Sequence, residues 1–131
     1  MITYLNLRDY ARAVCNNQLA DETTIRAGIS RAYYSAFHVC KEAARKFTKE
    51  SLEETGKEYS HERVYKLLED NAIDKEYQEA LSFLAAQARK IKIFRVKADY
   101  NLVNYKGTNK DLLGCISSLN SLINEYQTLS T

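Results

Sequence analysis

Apolar residues recur along this chain at intervals of three and four, the period of an amphipathic helix, and no strand-turn-strand alternation is evident. Tyr4, Leu7, Ala11, Val14 and Cys15 predict a first helix over about 3–17. A longer one, over about 22–48, follows Asp21, which suits an N-cap, with Glu22 in the positive first turn. Its apolar arc is Ile29, Ala32, Tyr33, Ala36, Phe37, Val39, Cys40, Ala43, Ala44 and Phe47. The charged stretch 48–59, with Gly56, predicts an exposed loop and the most mobile part of the chain. Ser60 caps a short third helix, buried through Val64, Leu67 and Leu68 and ending near Asn71, and Asp74 caps a fourth over about 75–100. After a second loop at 101–108, the fifth helix starts near Asn109 or Asp111. It has the cleanest stripe of all: Leu112, Cys115, Ile116, Leu119, Leu122, Ile123 and Tyr126. The expectation is an all-α fold, one domain over 1–131, built as a bundle of four to five mostly antiparallel helices.

Two features break this pattern. The second helix carries Arg31, Ser35, His38, Glu42 and Arg45 opposite its apolar arc, an ordered polar row several turns long. On the fourth helix the stripe Leu81, Leu84, Ala88 and Ile91 runs on, at the same period, into Arg95, Ala98 and Asp99. An unpaired buried charge costs several kcal/mol, so Arg95 and Asp99 are expected to pair and to reach the second helix. The predicted polar layer holds Tyr34, Ser35, Glu42, Arg95, Asp99 and Tyr100, with Arg31 or His38 close to Asp99 or Tyr100.

Composition sharpens this reading. With no proline and only four glycines, long uninterrupted helices are favoured. No segment approaches the roughly 18 to 20 apolar residues that span a bilayer, and the charged N-terminus is not a signal peptide, which predicts a cytoplasmic protein without a membrane partner. Cys15, Cys40 and Cys115 lie far apart on apolar faces and read as packing residues. Two distant histidines make no metal set, and no cofactor is implied. His61, after the capping Ser60, suits a surface or capping role.

The net charge is only +2, but residues 81–110 hold seven basic side chains against the single Asp99. Lys90, Lys92 and Lys97, with Tyr100 and Tyr105 nearby, are candidate contacts to nucleic-acid phosphates and bases. The candidate catalytic pair is Arg31, to stabilise a phosphate, and His38, a general acid or base with a reference pKa near 6.5, its ring oriented by Glu42.

Ser30-Arg31-Ala32-Tyr33-Tyr34 with Phe37-His38, then Ser60-His61, then Arg95-Val96-Lys97-Ala98-Asp99-Tyr100 before a last amphipathic helix, resemble the SRAYYxxFH, SH and RxxADY signatures of small HEPN-type proteins. The resemblance covers roughly residues 5–128. It implies a HEPN-like helical bundle, commonly a homodimer, in prokaryotic proteins often encoded beside nucleotidyltransferases or in defence and toxin–antitoxin modules. Active HEPN ribonucleases carry an arginine and a histidine separated by four to six residues on a late helix. Here no histidine follows His61, so the resemblance implies a binding or regulatory protein without that standard activity. Arg31 and His38 match the spacing literally, but on the second helix. The alternatives are a metal-independent RNA endonuclease acting as a dimer and a structural helical adaptor for a protein partner.

Overall fold

The computed structural model describes residues 1–49 and 60–131. Five helices follow in order: α1 (Tyr4–Asn16), α2 (Glu22–Phe47), α3 (His61–Asp70), α4 (Lys75–Tyr100) and α5 (Asn109–Leu129). The fold is all-α, and no strand occurs among the described residues. The loop expected at 48–59 lies, from residue 50 on, outside the described residues.

Each helix begins where a short polar side chain can take an orphan backbone N–H. Thr3, Asp21, Ser60, Asp74 and Thr108 all accept from the first turn they precede. At α1 the arrangement is reciprocal, since Asn6 Oδ1 also accepts from the Thr3 backbone. The cap at Thr108 starts α5 at Asn109, the earlier of the two expected starts.

Helix α2 is the axis of the fold and packs against all four others. Its arc from Ile29 to Ala44 is buried together with Leu81, Leu84, Ala85, Ala88 and Ile91 of α4 and the predicted stripe of α5. Phe47, at the rim, is half-buried and packs on Tyr77. Gly28 lets three helices converge, because a Cβ there would lie 3.2 Å from Leu112 and 3.3 Å from Val14. Cys40 and Cys115 are buried, and Cys15 is half-buried. Burial pushes the Cys40 and Cys115 thiols up, as suits packing rather than reactive groups.

Encirclement also changes the expected polar row of α2. Ser35 is fully buried, not part of an open face, because α1 crosses α2 there, and its hydroxyl donates to the Tyr4 carbonyl at 2.7 Å. At the far end of α2 a single antiparallel bridge joins Thr48 to Ala72. The Lys49 N–H donates to Asn71 and the Ile73 N–H to Phe47, each at 2.9 Å. Among the described residues no helix is long and apolar enough to cross a membrane.

Candidate functional site

The two polar anomalies meet, through different residues from those expected. Ser30 and Tyr34, one turn apart on α2, face α4. The Ser30 hydroxyl donates to Asp99 Oδ2 at 3.3 Å, and Arg95 Nη2 donates to the Tyr34 hydroxyl at 2.7 Å. Arg95 Nε lies 3.0 Å from Asp99 Oδ2, near enough for an ion pair but off the line of a hydrogen bond. The guanidinium also stands 5.3 to 5.5 Å from the ring centres of Tyr33, Tyr34 and Tyr100. Burial works against its charge, but Tyr34, Tyr100 and Asp99 outweigh it and hold Arg95 more firmly protonated than usual. The layer therefore exists, but Arg31 and His38 are not its members. They turn outward on the next face of α2.

There Arg31, Tyr34, His38 and Glu42 form one wall of an open groove of about 580 Å³, whose other wall is Ile2, Thr3, Tyr4 and Leu7 at the start of α1. Tyr34 belongs to both arrangements: its side chain lines the groove while its hydroxyl holds Arg95. Arg31 is exposed and has no ion-pair partner among the described residues. Glu42 pairs with Lys46 at 3.2 Å, which takes its carboxylate away from the expected task of orienting His38. Partial burial and the nearby Lys41 lower the His38 pKa, so its imidazole is neutral at pH 7.

His61 sits in the site, although sequence reasoning gave it a surface or capping role. As the first residue of α3 it is directed inward by the Ser60 cap, and its ring stacks on Phe37 with centroids 3.9 Å apart. Its Nδ1 lies 2.7 Å from the Tyr33 hydroxyl, which lies 2.6 Å from the Tyr65 hydroxyl. A neutral His61 satisfies this chain: Tyr65 donates to Tyr33 and Tyr33 donates to the ring nitrogen. Burial lowers the His61 pKa, and the charges of Arg95 and Lys92 lower it further. Burial pushes Tyr33 up to about 12 and Tyr65 higher still, so both stay protonated.

This depression has a sign. The unfolded chain takes up the proton near the ordinary value of 6.5 while the folded chain resists it, so His61 contributes stability that is fully present above 6.5 and lost as pH falls through the folded value. His38 acts in the same direction. Urea unfolding at pH 7.5 and at pH 5 is expected to show a smaller acid-induced loss in His61→Gln than in the parent chain. An equal loss in both would remove His61 as a source of the acid sensitivity.

The basic run of α4 is dispersed. Arg89 pairs with Glu62 at 2.6 Å and Glu69 at 2.5 Å, and Lys92 pairs with Glu62 at 3.3 Å. Hydrogen bonding from Arg89 holds the Glu62 carboxyl below its ordinary value. Lys97 lies over the rings of Phe94 and Tyr105, and Lys90 borders a shallow groove between α4 and α5. The three lysines singled out as nucleic-acid contacts thus do not converge with Arg31. Among the described residues no group of three or more metal-ligating side chains occurs.

Fold and site together define an all-α bundle with an open groove beside its central helix, into which one guanidinium, unpaired among the described residues, and the rings of Tyr34 and His38 are presented. Comparison of the chain with protein-family models, with curated proteins and with solved structures finds no match in any of the three.

Proposed function

We propose that this protein is a HEPN-like binding or regulatory component of a prokaryotic, nucleic-acid-linked defence or toxin–antitoxin module. In this reading it is a cytoplasmic homodimer that holds single-stranded RNA in the groove between α1 and α2 without the standard ribonuclease reaction. A nucleotidyltransferase or another neighbouring gene product is its protein partner. The observation that carries RNA binding is the convergence of unpaired Arg31 with Tyr34 and His38 on one open groove. An exposed guanidinium takes a phosphate, and the flat rings beside it take bases without regard to sequence. Absence of standard cleavage is supported by the commitment of Arg95 and Asp99 to each other and to α2.

The test is anisotropy of a labelled single-stranded RNA across a salt series in EDTA. Affinity is expected to fall as salt rises, and Arg31→Ala is expected to flatten that dependence by about one phosphate contact. An RNA affinity unchanged in Arg31→Ala would remove the groove as the binding site. Endonuclease activity is a second reading, favoured by the two histidines His38 and His61, both beside the Phe37 ring. RNA cleavage in EDTA that is lost in both Arg31→Ala and His38→Ala would replace the binding reading with that one.

A further inference from the structure

The outer side of α4 carries a second pattern. Glu76, Glu79, Phe83, Ala86, Lys90, Ile93, Lys97 and Tyr100 follow one another at steps of three and four, and every one is exposed. This is a sustained seven-residue repeat on the side of α4 turned away from the core. Phe83 is 37% and Ile93 58% exposed, so the stripe presents apolar as well as charged side chains outward. The charges are sorted by sign along the stripe: Glu76 and Glu79 lie at its start, Lys90 and Lys97 towards its end. None of these four has an ion-pair partner among the described residues, whereas Arg89, Lys92 and Arg95, on the other side of the same helix, all do.

A stripe that is acidic at one end and basic at the other is complementary to itself when inverted. We infer that this face binds a second copy of the chain, with the two α4 helices antiparallel about a two-fold axis between Ala86 and Gln87. A two-fold contact uses the same patch on both subunits, so each favourable pair occurs twice. In this register Glu76 faces the partner's Lys97 and Phe83 faces the partner's Lys90. Parallel pairing would instead set glutamate against glutamate. The small Ala86 at the centre permits the close approach of helix axes that interdigitated packing requires.

The neighbouring helix supplies the rest of the surface. From Glu76 to Lys97 the helix runs about 32 Å, and a strip one helix wide falls short of the roughly 500 Å² per partner that a specific interface needs. Beside Lys90 and Ile93 lies a groove of about 240 Å³, lined also by Phe94 and by Gly114 and Ser118 of α5. In the antiparallel register Phe83 of one copy enters this groove on the other. Gly114 is the open floor: a Cβ there would meet nothing within 4 Å. No packing inside the subunit calls for a glycine at that helical position, whereas a facing aromatic ring does.

The inference deepens the dimeric reading above by naming its face, and it does not depend on what the α1/α2 groove holds. Sedimentation equilibrium on the full chain tests it. Gly114→Leu projects a side chain from a position where a Cβ meets nothing within 4 Å and replaces a poor helix former by a good one. It is expected to raise the dimer dissociation constant at least about 30-fold while the thermal midpoint stays the same or rises. Glu76→Lys and Lys97→Glu are each expected to weaken the dimer about tenfold, and combining them to restore it to within about threefold. A chain that is monomeric at about 100 μM overturns both the face and the dimeric reading. A dimer indifferent to Gly114→Leu, or one weakened further by the combined charge swap, overturns the face alone.

Discussion

An Arg26→Ala chain is expected to melt about 10 to 20 °C below the parent, the largest effect of any single surface-directed change in this fold. The reason is the position of the guanidinium, whose side chain is only 11% exposed. Arg26 Nη1 donates to the carbonyls of Lys97, Ala98 and Asn101 at 3.4, 3.0 and 3.0 Å, and Nη2 donates to the Tyr105 carbonyl. The Lys97 carbonyl also takes the Asn101 N–H, whereas those of Ala98, Asn101 and Tyr105 lie at the end of α4 and in the loop after it, where helical partners have run out. A positive group there also meets the negative end of the helix dipole. Hydrogen bonds from a charged donor are worth about 1.5 to 3 kcal/mol each, and water will satisfy some of the abandoned carbonyls, so the net loss is about 3 to 4 kcal/mol. The Glu22 pair at 3.6 Å adds little. Gly107 belongs to the same construction, since a Cβ there would lie 3.0 Å from the Arg26 side chain. Arg26→Lys is expected to recover only a minor part, because an ammonium cannot spread donors over four carbonyls in one plane. Circular dichroism melts of the three chains measure this directly. A difference between Arg26→Ala and the parent below about 3 °C would mean that the clamp contributes nothing.

Arg95→Met is expected to lose about 2 to 3 kcal/mol. Methionine keeps the stem packed between the tyrosines but strands Asp99, whose side chain is 28% exposed, and removes the donor to the Tyr34 hydroxyl. Breaking one partner of a fully buried pair costs more, about 3 to 5 kcal/mol, and partial access of water to Asp99 reduces the figure. Loss of attraction to three aromatic faces adds a few tenths to about 1 kcal/mol for each ring. Asp99→Asn should cost clearly less, since an amide still accepts from Ser30. The combined variant Arg95→Met with Asp99→Leu should be more stable than the sum of the single losses predicts, because no orphaned charge remains. Chemical denaturation of the parent, Arg95→Met, Asp99→Leu and the combined variant gives the coupling directly, and strict additivity would show that the pair is a coincidence of geometry.

The helices were legible in the sequence because period and caps agreed. Asp21, Ser60 and Asp74 were readable as starts, and α2, α3 and α4 begin directly after them. The charged continuation of the α4 stripe announced a polar layer, and Arg95 and Asp99 form one. What the pattern could not give was which residue of α2 meets them. Around the helix Ser30 lies about 100° from Arg31 and Tyr34 about 40° from His38, and only the placement of α1 over Ser35 decides between the two faces. His61 escaped for a related reason: a histidine at a helix start looks solvated unless it is known that Phe37 and Tyr33 lie beneath it. The signal available was its place in the Ser60-His61 pair. Arg26 left no signal at all, since one arginine in the first turns of a long helix is indistinguishable from a solvated one until the end of α4 is brought beside it.

The short bridge between Thr48 and Ala72 bears on how the chain tolerates change. Backbone bonds from Lys49 to Asn71 and from Ile73 to Phe47 tie the exit of α2 directly to the approach of α4. The span between those ties is therefore a branch closed at its base, and α3 within it is anchored to the core through Val64, Tyr65, Leu67 and Leu68. The closure cost of such a branch grows only with the logarithm of its length, about 0.6 kcal/mol for each doubling. Chain length can therefore change ahead of α3 at little cost, whereas α3 itself must keep its buried face, and it carries the imidazole of His61. The fold thus closes its frame at the base of α3, and packing holds in place the helix that carries the imidazole beside Tyr33.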